Sequence, residues 1–343
     1  MVKKIALYTF VAIILVAIAV SILFFRSLNG LMIRDGSKLV SVYIPTGSDY
    51  KGVFDSINTK IVIKNKGVFN WIAARKKYPS SVRPGRYIFT SDMSYFNILN
   101  ILRSGNQTPV KVTFNNVRTI FDLAGKVGGQ MEADSGKIAE FLNNDSNYKK
   151  DGFTRETIIS VFIPDTYELY WNTSAEGFYK RMFREYSKFW NEERTAKARI
   201  NKLSPVEASI LASIVDNEAS MDDEKPKIAG VYLNRLSRKI KLDSDPTIKF
   251  ALNDFTITRI LTKHLQVESP YNTYKHAGLP PGPIGCPTIS GIEAVLNAEK
   301  HDYFFFVARP DFSGYHNFSR TLAEHNRYAM LYQKELDKRK IFK

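Results

Sequence analysis

The sequence predicts an α+β protein in three parts: an N-terminal transmembrane helix, a small α+β module, and a larger mixed α/β domain that carries a glutamate at the end of a core-facing helix. Three observations predict this. An uncharged run covers residues 5–25, IALYTFVAIILVAIAVSILFF. Short strand-like and helix-like pieces alternate over residues 39–103. A well-framed helix then begins at Ser204 and places Leu211, Ile214, Val215 and Glu218 on one stripe.

The apolar run exceeds the roughly 20 residues that a helix needs to cross a bilayer. A cleaved signal peptide is the rival reading, but its apolar region usually has about 7 to 15 residues and ends at a small-x-small site. Lys3 and Lys4 before the span favour a cytoplasmic N-terminus, and Arg26, Arg34 and Lys38 beyond it weaken that asymmetry. The expectation is a retained single-pass anchor with more than 300 residues outside the cytoplasm.

The segments KLVSVYIP, DYKGVFDSI, RPGRYIF and MSYFNILNILRSG read in order as strand, helix, strand and helix. Arg83-Pro84-Gly85-Arg86 gives a turn before a strand, and Gly105 a helix stop. A second, fainter unit has a strand at residues 109–114 and helices near 119–127 and 135–142, followed by a polar loop at 143–150. One amphipathic helix is predicted over residues 176–199. The last segment, 204–343, opens with helices and passes through a Pro/Gly/Tyr-rich middle at 269–287. It closes with a strand at 303–308 and a helix near 322–340. The divisions are residues 1–26 for the cytoplasmic tip and span, 27–38 for a linker, 39–106 for the small module and 107–343 for the larger domain, with 107–155 as an accessory subdomain.

A composition of 44% hydrophobic residues, with aromatics making up 13% of the chain, is that of a packed globular protein. The formal net charge of +15 favours anionic partners, phospholipid or acidic wall polymer in that location; no nucleic-acid motif accompanies the spread lysines. Cys286 is a lone cysteine, so no internal disulfide supports the fold. His264, His276, His301, His316 and His325 include no closely spaced pair with a third ligand, and no phosphate-binding glycine loop is present, so neither metal nor cofactor is expected.

Ser204-Pro205-Val206-Glu207 combines an N-cap, Pro at the first helical position and a capping box. Fourteen residues into this frame, Glu218 falls on the core-facing stripe. Burial beside Leu211 and Ile214 would disfavour its ionised form and suit it to donate a proton near neutral pH. The alternative is a helix-end glutamate that turns to solvent or pairs with Lys225 or Lys227. Asp216 points to another side of the helix, so a second carboxylate would come from Glu224, Asp245 or Glu268. Of these, Asp245 precedes Pro246 and reads first as a helix cap.

Taken in order, FIPDTYELY (162–170), ASIVDNEAS (212–220), VYLNRL (231–236), LDSDPT (242–247), SPYNTY (269–274), GLPPGPIGCPT (278–288) and HNF (316–318) resemble the MltG-type, or YceG-like, endolytic murein transglycosylases. The resemblance covers nearly the whole chain and includes the anchor and a LysM-like module. It implies a mixed α/β catalytic domain in which Glu218 protonates the oxygen between MurNAc and GlcNAc in nascent peptidoglycan. The same carboxylate then takes a proton from the MurNAc C6 hydroxyl as that oxygen attacks the anomeric carbon, leaving a 1,6-anhydro end. Because this nucleophile is already attached to the sugar, a lone carboxylate suffices. Candidate substrate-binding residues are Asn234, Arg235, Asp245, Thr247, Tyr271, Asn272, Thr273, Tyr274, His316 and Phe318, each with a local structural role as its alternative. Expected partners are glycan strands, peptidoglycan synthases and the cytoplasmic membrane. A non-catalytic peptidoglycan-binding scaffold and a two-carboxylate muramidase are the competing classes.

Overall fold

The computed structural model describes residues 2–28 and 31–339, and the chain divides into two compact units. The first comprises residues 1–112, 130–133 and 167–174, and the second residues 113–129, 134–166 and 175–343.

In the first unit, α1 (Val2–Leu28) covers the stretch read as a membrane span, and its described side chains, residues 5 and 7–22, are exposed. Among the described residues no helix is long and apolar enough to cross a membrane. The expected span, residues 5–25, runs past Ile22 into side chains that lie outside the described residues.

Next come β1 (Leu31–Ile33), β2 (Leu39–Ile44), α2 (Tyr50–Lys60), β3 (Ile61–Ile63), α3 (Lys66–Arg75), β4 (Gly85–Thr90) and α4 (Tyr95–Ser104). β2 and β4 pair antiparallel, with Leu39 opposite Thr90 and Ile44 opposite Gly85. Their period of two sends Val40, Val42 and Ile44 to the same buried side as Tyr87 and Phe89. Val53 and Ile57 of α2, Phe69 and Ile72 of α3, and Ile98, Leu99 and Leu102 of α4 complete that core. Gly105 ends α4 at φ 70°, the left-handed conformation that glycine adopts without a Cβ penalty.

The four predicted pieces are thus present. The structure adds α3 and the short β1–β3 pair, and β1 falls within the stretch read as a linker. Three-residue strands carry too little alternation to be seen as a pattern.

β5 (Val110–Phe114) and β6 (Asp165–Leu169) pair with each other, and the division between the units passes through both. In the second unit, α5 (Ile120–Gly128) starts at a Thr119–Asp122 capping box and α6 (Ser135–Asn143) at an Asp134 cap. The single helix expected over 176–199 is two, α7 (Ala175–Phe189) and α8 (Glu192–Ile200). Asn191 divides them: its side chain accepts from the Arg194 amide and restarts the helix, a local bond that a periodicity argument does not weigh.

The centre of this unit is α9 (Pro205–Glu218), where every residue from Ala208 to Val215 is buried. Around it lie α10 (Lys225–Ser237), α11 (Asp245–Leu252) and α12 (Ile289–Leu296). The chain closes with β7 (Phe305–Ala308), β8 (His316–Ser319) and α13 (Leu322–Lys338). β7 and β8 are antiparallel, with Phe306 opposite Phe318 and Ala308 opposite His316. The HNF segment, read only as a motif, is therefore a strand.

Candidate active site

α9 carries Glu218 out of the core. The Ser204–Glu207 capping box fixes the start of the helix, and the chain turns extended at Ala219, so Glu218 is its last residue. It opens on a cavity of about 510 Å³ lined also by Tyr232, Asp245, Tyr274, His316 and the β7 strand.

Two hydroxyls hold the Glu218 carboxyl: Tyr232 Oη and Ser244 Oγ both donate to Oε1 at 2.7 Å. Oε2 receives no hydrogen bond from the described residues. Burial pushes the Glu218 pKa up, and the neighbouring Asp245 charge adds to the rise. The two hydroxyls act in the opposite direction without reversing it. A helix C-terminus also disfavours a negative charge. When the carboxyl is protonated, its hydrogen belongs on Oε2, because Oε1 already accepts twice.

The ion-pair alternative for Glu218 does not occur. Lys225 Nζ lies 2.8 Å from Asp216 and 2.7 Å from Asp222. The Lys227 ammonium sits over the Tyr303 and Phe318 rings.

Ser244 is placed by a closed ring of hydrogen bonds. Its amide donates to Thr273 Oγ1 at 3.0 Å, and its carbonyl accepts from Thr247 Oγ1 at 2.6 Å. Thr247 and Thr273 Oγ1 are 2.8 Å apart. With its proton on the Ser244 carbonyl, Thr247 must accept from Thr273, so each group in the ring has one partner in a single sense. Thr247 and Thr273 are fully buried and hold a Glu218 partner without lining the cavity.

Other residues singled out in the sequence divide the same way. Arg235, Asp245, Tyr274 and His316 line the cavity with Glu218. The Arg235 guanidinium is buried and donates to the carbonyls of Phe304, Lys241 and Leu242 and to Asp243 Oδ2. It ties the wall of the cavity together. Asn234 faces another hollow, where its amide donates to the carbonyls of His301 and Tyr303. Asn272 is buried and staples its loop through the carbonyls of Leu265 and Val267. Tyr271 packs against Phe250 with ring centroids 4.7 Å apart and planes tilted by 49°, its hydroxyl beside Gly282, and burial pushes its pKa up to about 12. Phe318 packs on Tyr303 and Phe306. In the Pro/Gly-rich loop, a Cβ on Gly282 would meet the Glu156 carbonyl at 2.0 Å, so the close backbone approach requires glycine there.

Asp245 is not a cap. The N-cap of α11 is Ser244, whose side chain is committed to Glu218, and Asp245 is the first helical residue. Its Oδ1 accepts from Tyr274 Oη at 2.6 Å, and burial, then Asp245, push the Tyr274 pKa up. Asp243 lines the cavity as well, at φ 49°, a strained value for a residue with a Cβ. Of the three carboxylates named as possible mates of Glu218, Asp245 lines its cavity, together with Asp243, which was not named. Glu224 lies behind His316, and Glu268 is an exposed partner of Lys275. Among the described residues no group of three His, Cys, Asp or Glu side chains is arranged to hold a metal ion.

The YceG-like family model matches residues 42–330. The chain belongs to the YceG-like family. Curated relatives include a Bacillus subtilis protein named endolytic murein transglycosylase, 29% identical over 310 residues that make up 86% of this chain and 85% of that protein. A Streptococcus pneumoniae protein of the same name is 26% identical over 308 residues, 80% of this chain and 55% of its own length. Among solved structures, a YceG-like protein of Listeria monocytogenes is 28% identical, with a TM-score of 0.56 over 85% of this chain and 99% of that one.

Tyr232 and Ser244, the two hydroxyls on Glu218, are residues that sequence reasoning missed, as is Asp243 in the cavity wall. Tyr232 and Ser244 both stand inside quoted motifs, but their contact with Glu218 bridges 14 and 26 residues, so no helical spacing announces it. Because both bonds hold the Glu218 pKa down against burial, removing one should raise it further. Tyr232→Phe is expected to move the alkaline limb of the pH–rate profile to higher pH, as initial rates of glycan cleavage between about pH 5 and 9 would report.

Proposed function

We propose that this chain is an endolytic lytic transglycosylase of peptidoglycan in which Glu218 is the catalytic acid and base. The observation that carries the reading is the Glu218 carboxyl: burial raises its pKa, and among the described residues no cation pairs with it and its second oxygen has no hydrogen-bond donor. Such a group keeps its proton to higher pH than a solvated glutamate and can donate it to a glycosidic oxygen. The name shared by the curated relatives supports the substrate.

In the reaction, Oε2–H protonates the oxygen linking MurNAc to GlcNAc as the C1–O bond breaks. The resulting carboxylate takes the proton of the MurNAc C6 hydroxyl while O6 bonds to C1. The products are a GlcNAc hydroxyl end and a 1,6-anhydro-MurNAc end, and Glu218 regains its proton. Asp245, Tyr274 and His316 contact the sugars, while Arg235, Thr247 and Thr273 hold the wall and the Ser244 hydroxyl. Asn234, Tyr271, Asn272 and Phe318 shape the neighbouring loops and strands.

Residues 5–25 anchor the chain in the cytoplasmic membrane, and the remainder works outside it on nascent strands beside peptidoglycan synthases. A tether raises the local concentration of enzyme where strands emerge. Residues 39–106 form a LysM-like module, supported by the β2–β4 pair with helices between its strands, and 107–343 form the catalytic domain.

Mass spectrometry of fragments released from uncrosslinked peptidoglycan tests the reaction. Anhydro ends are expected. Ends heavier by one water would assign the chemistry to hydrolysis, for which Asp243 and Asp245 offer a second carboxylate in the same cavity, and no release at all would favour a binding scaffold.

A further inference from the structure

Glu224 is a buried carboxylate, 6% exposed, that the reaction above does not use. It stands at the end of a short turn, Asp222–Glu224, and spends both oxygens on one residue of β8. Oε1 accepts from the His316 amide at 2.9 Å, and Oε2 meets His316 Nδ1 at 2.6 Å. A carboxylate only accepts, so Nδ1 carries a proton. Nε2 is the ring nitrogen left over, without a hydrogen-bond partner among the described residues, on a ring that lines the Glu218 cavity. The Phe306 ring, edge-on at 5.3 Å, restricts rotation about that position, and the Arg309 guanidinium fixes the His316 carbonyl at 3.2 Å.

We propose that Glu224 is a positioning residue: it clamps His316 at amide and ring so that unprotonated Nε2 is presented to the cavity as an acceptor for a hydroxyl of the reacting saccharide. The inference rests on the reading of Glu218 as the acid and adds a second group to its machinery. A residue held at its amide and at its ring Nδ1 needs no rearrangement as the bond breaks, and such preorganisation acts on the transition state more than on substrate binding.

Glu224→Gln tests the clamp with little change of shape. Both groups facing position 224 are donors in the wild type, and glutamine has one acceptor oxygen. The backbone N–H cannot become an acceptor, so the new NH2 must face Nδ1, and the ring proton must move to Nε2. Nitrogen NMR of the full chain labelled at histidine is expected to show His316 protonated at Nδ1 in the wild type and at Nε2 in Glu224→Gln. With the acceptor lost, kcat for glycan cleavage should fall roughly 10- to 100-fold with KM nearly unchanged.

A wild-type signal protonated at Nε2 alone would overturn the proposal without any variant. So would a switched tautomer with unaltered kcat, or a loss confined to KM. If Glu224→Gln is fully active while Glu218→Gln is inert, this inference fails and the acid assignment stands. Cleavage by Glu218→Gln at the wild-type rate would remove the assignment on which it rests.

Discussion

Glu218→Gln is expected to lower the rate of glycan cleavage by at least about 100-fold, the lower end of what a positioned acid–base group contributes. The substitution isolates the proton. Glutamine Oε1 still accepts from Tyr232 and Ser244, so the loop that carries Ser244 keeps its place. What is lost is the transferable hydrogen on the other atom.

The same change should stabilise the fold, and its pH dependence has a definite sign. The folded-state pKa of Glu218 lies above the ordinary value of 4.5, because burial disfavours the charge. Between those two values the folded protein binds more protons than the unfolded chain, so wild-type stability falls as pH rises through that window. Below about pH 4 both states carry a neutral carboxyl and the difference disappears. Thermal unfolding at acid and at neutral pH should therefore give equal Tm values for the two proteins in acid and a higher Tm for Glu218→Gln at neutral pH. A variant that loses activity and also melts lower at neutral pH would place Glu218 among structural residues.

Lys225→Met carries the largest expected cost to folding. Asp216 and Lys225 are 2.8 Å apart, with side chains 10% and 8% exposed. Asp216 also accepts from the Thr288 amide at 2.7 Å and hydroxyl at 2.8 Å, and so joins α9 to the start of α12. A Cβ on Gly291 would lie 2.4 Å from that carboxylate, so no larger residue relieves it from the α12 side. Burial lowers the Lys225 pKa and the Asp216 and Asp222 charges more than restore it. Removing the cation leaves Asp216 with two neutral donors and no counter-charge, at a cost of about 3–5 kcal/mol in denaturant unfolding. Removing Asp216 as well should recover part of that loss, since a buried pair replaced on both sides leaves no uncompensated charge. A loss under about 1 kcal/mol for the single change would mean that water already screens the pair.

The legible part of the site was the part encoded along one helix. Ser204, Pro205 and Glu207 mark where α9 begins, and spacings of three and four then put Glu218 on the stripe of Leu211 and Ile214. The β2, α2, β4 and α4 pieces were legible for the same reason: each owes its form to periods of two or 3.6 and to a turn residue within its own few positions. The break at Asn191 and the role of Asp245 were misread because both depend on a choice between equally local bonds. A capping side chain can continue, start or abandon a helix, and tertiary contacts make the choice.

The sequence by itself determined the elements with a clear period, the family motifs and the one carboxyl whose position requires explanation. Only the tertiary structure decided what surrounds it: Tyr232 and Ser244 on one oxygen, Asp243 and Asp245 across the same cavity, and His316 held from behind by Glu224. The physical reason is range. Periodicity and capping act within about one or two turns of chain, whereas the partners of Glu218 come from α10 and the start of α11, and His316 from a strand nearly a hundred residues further on. Their meeting depends on how buried surfaces pack, which no short window of sequence contains.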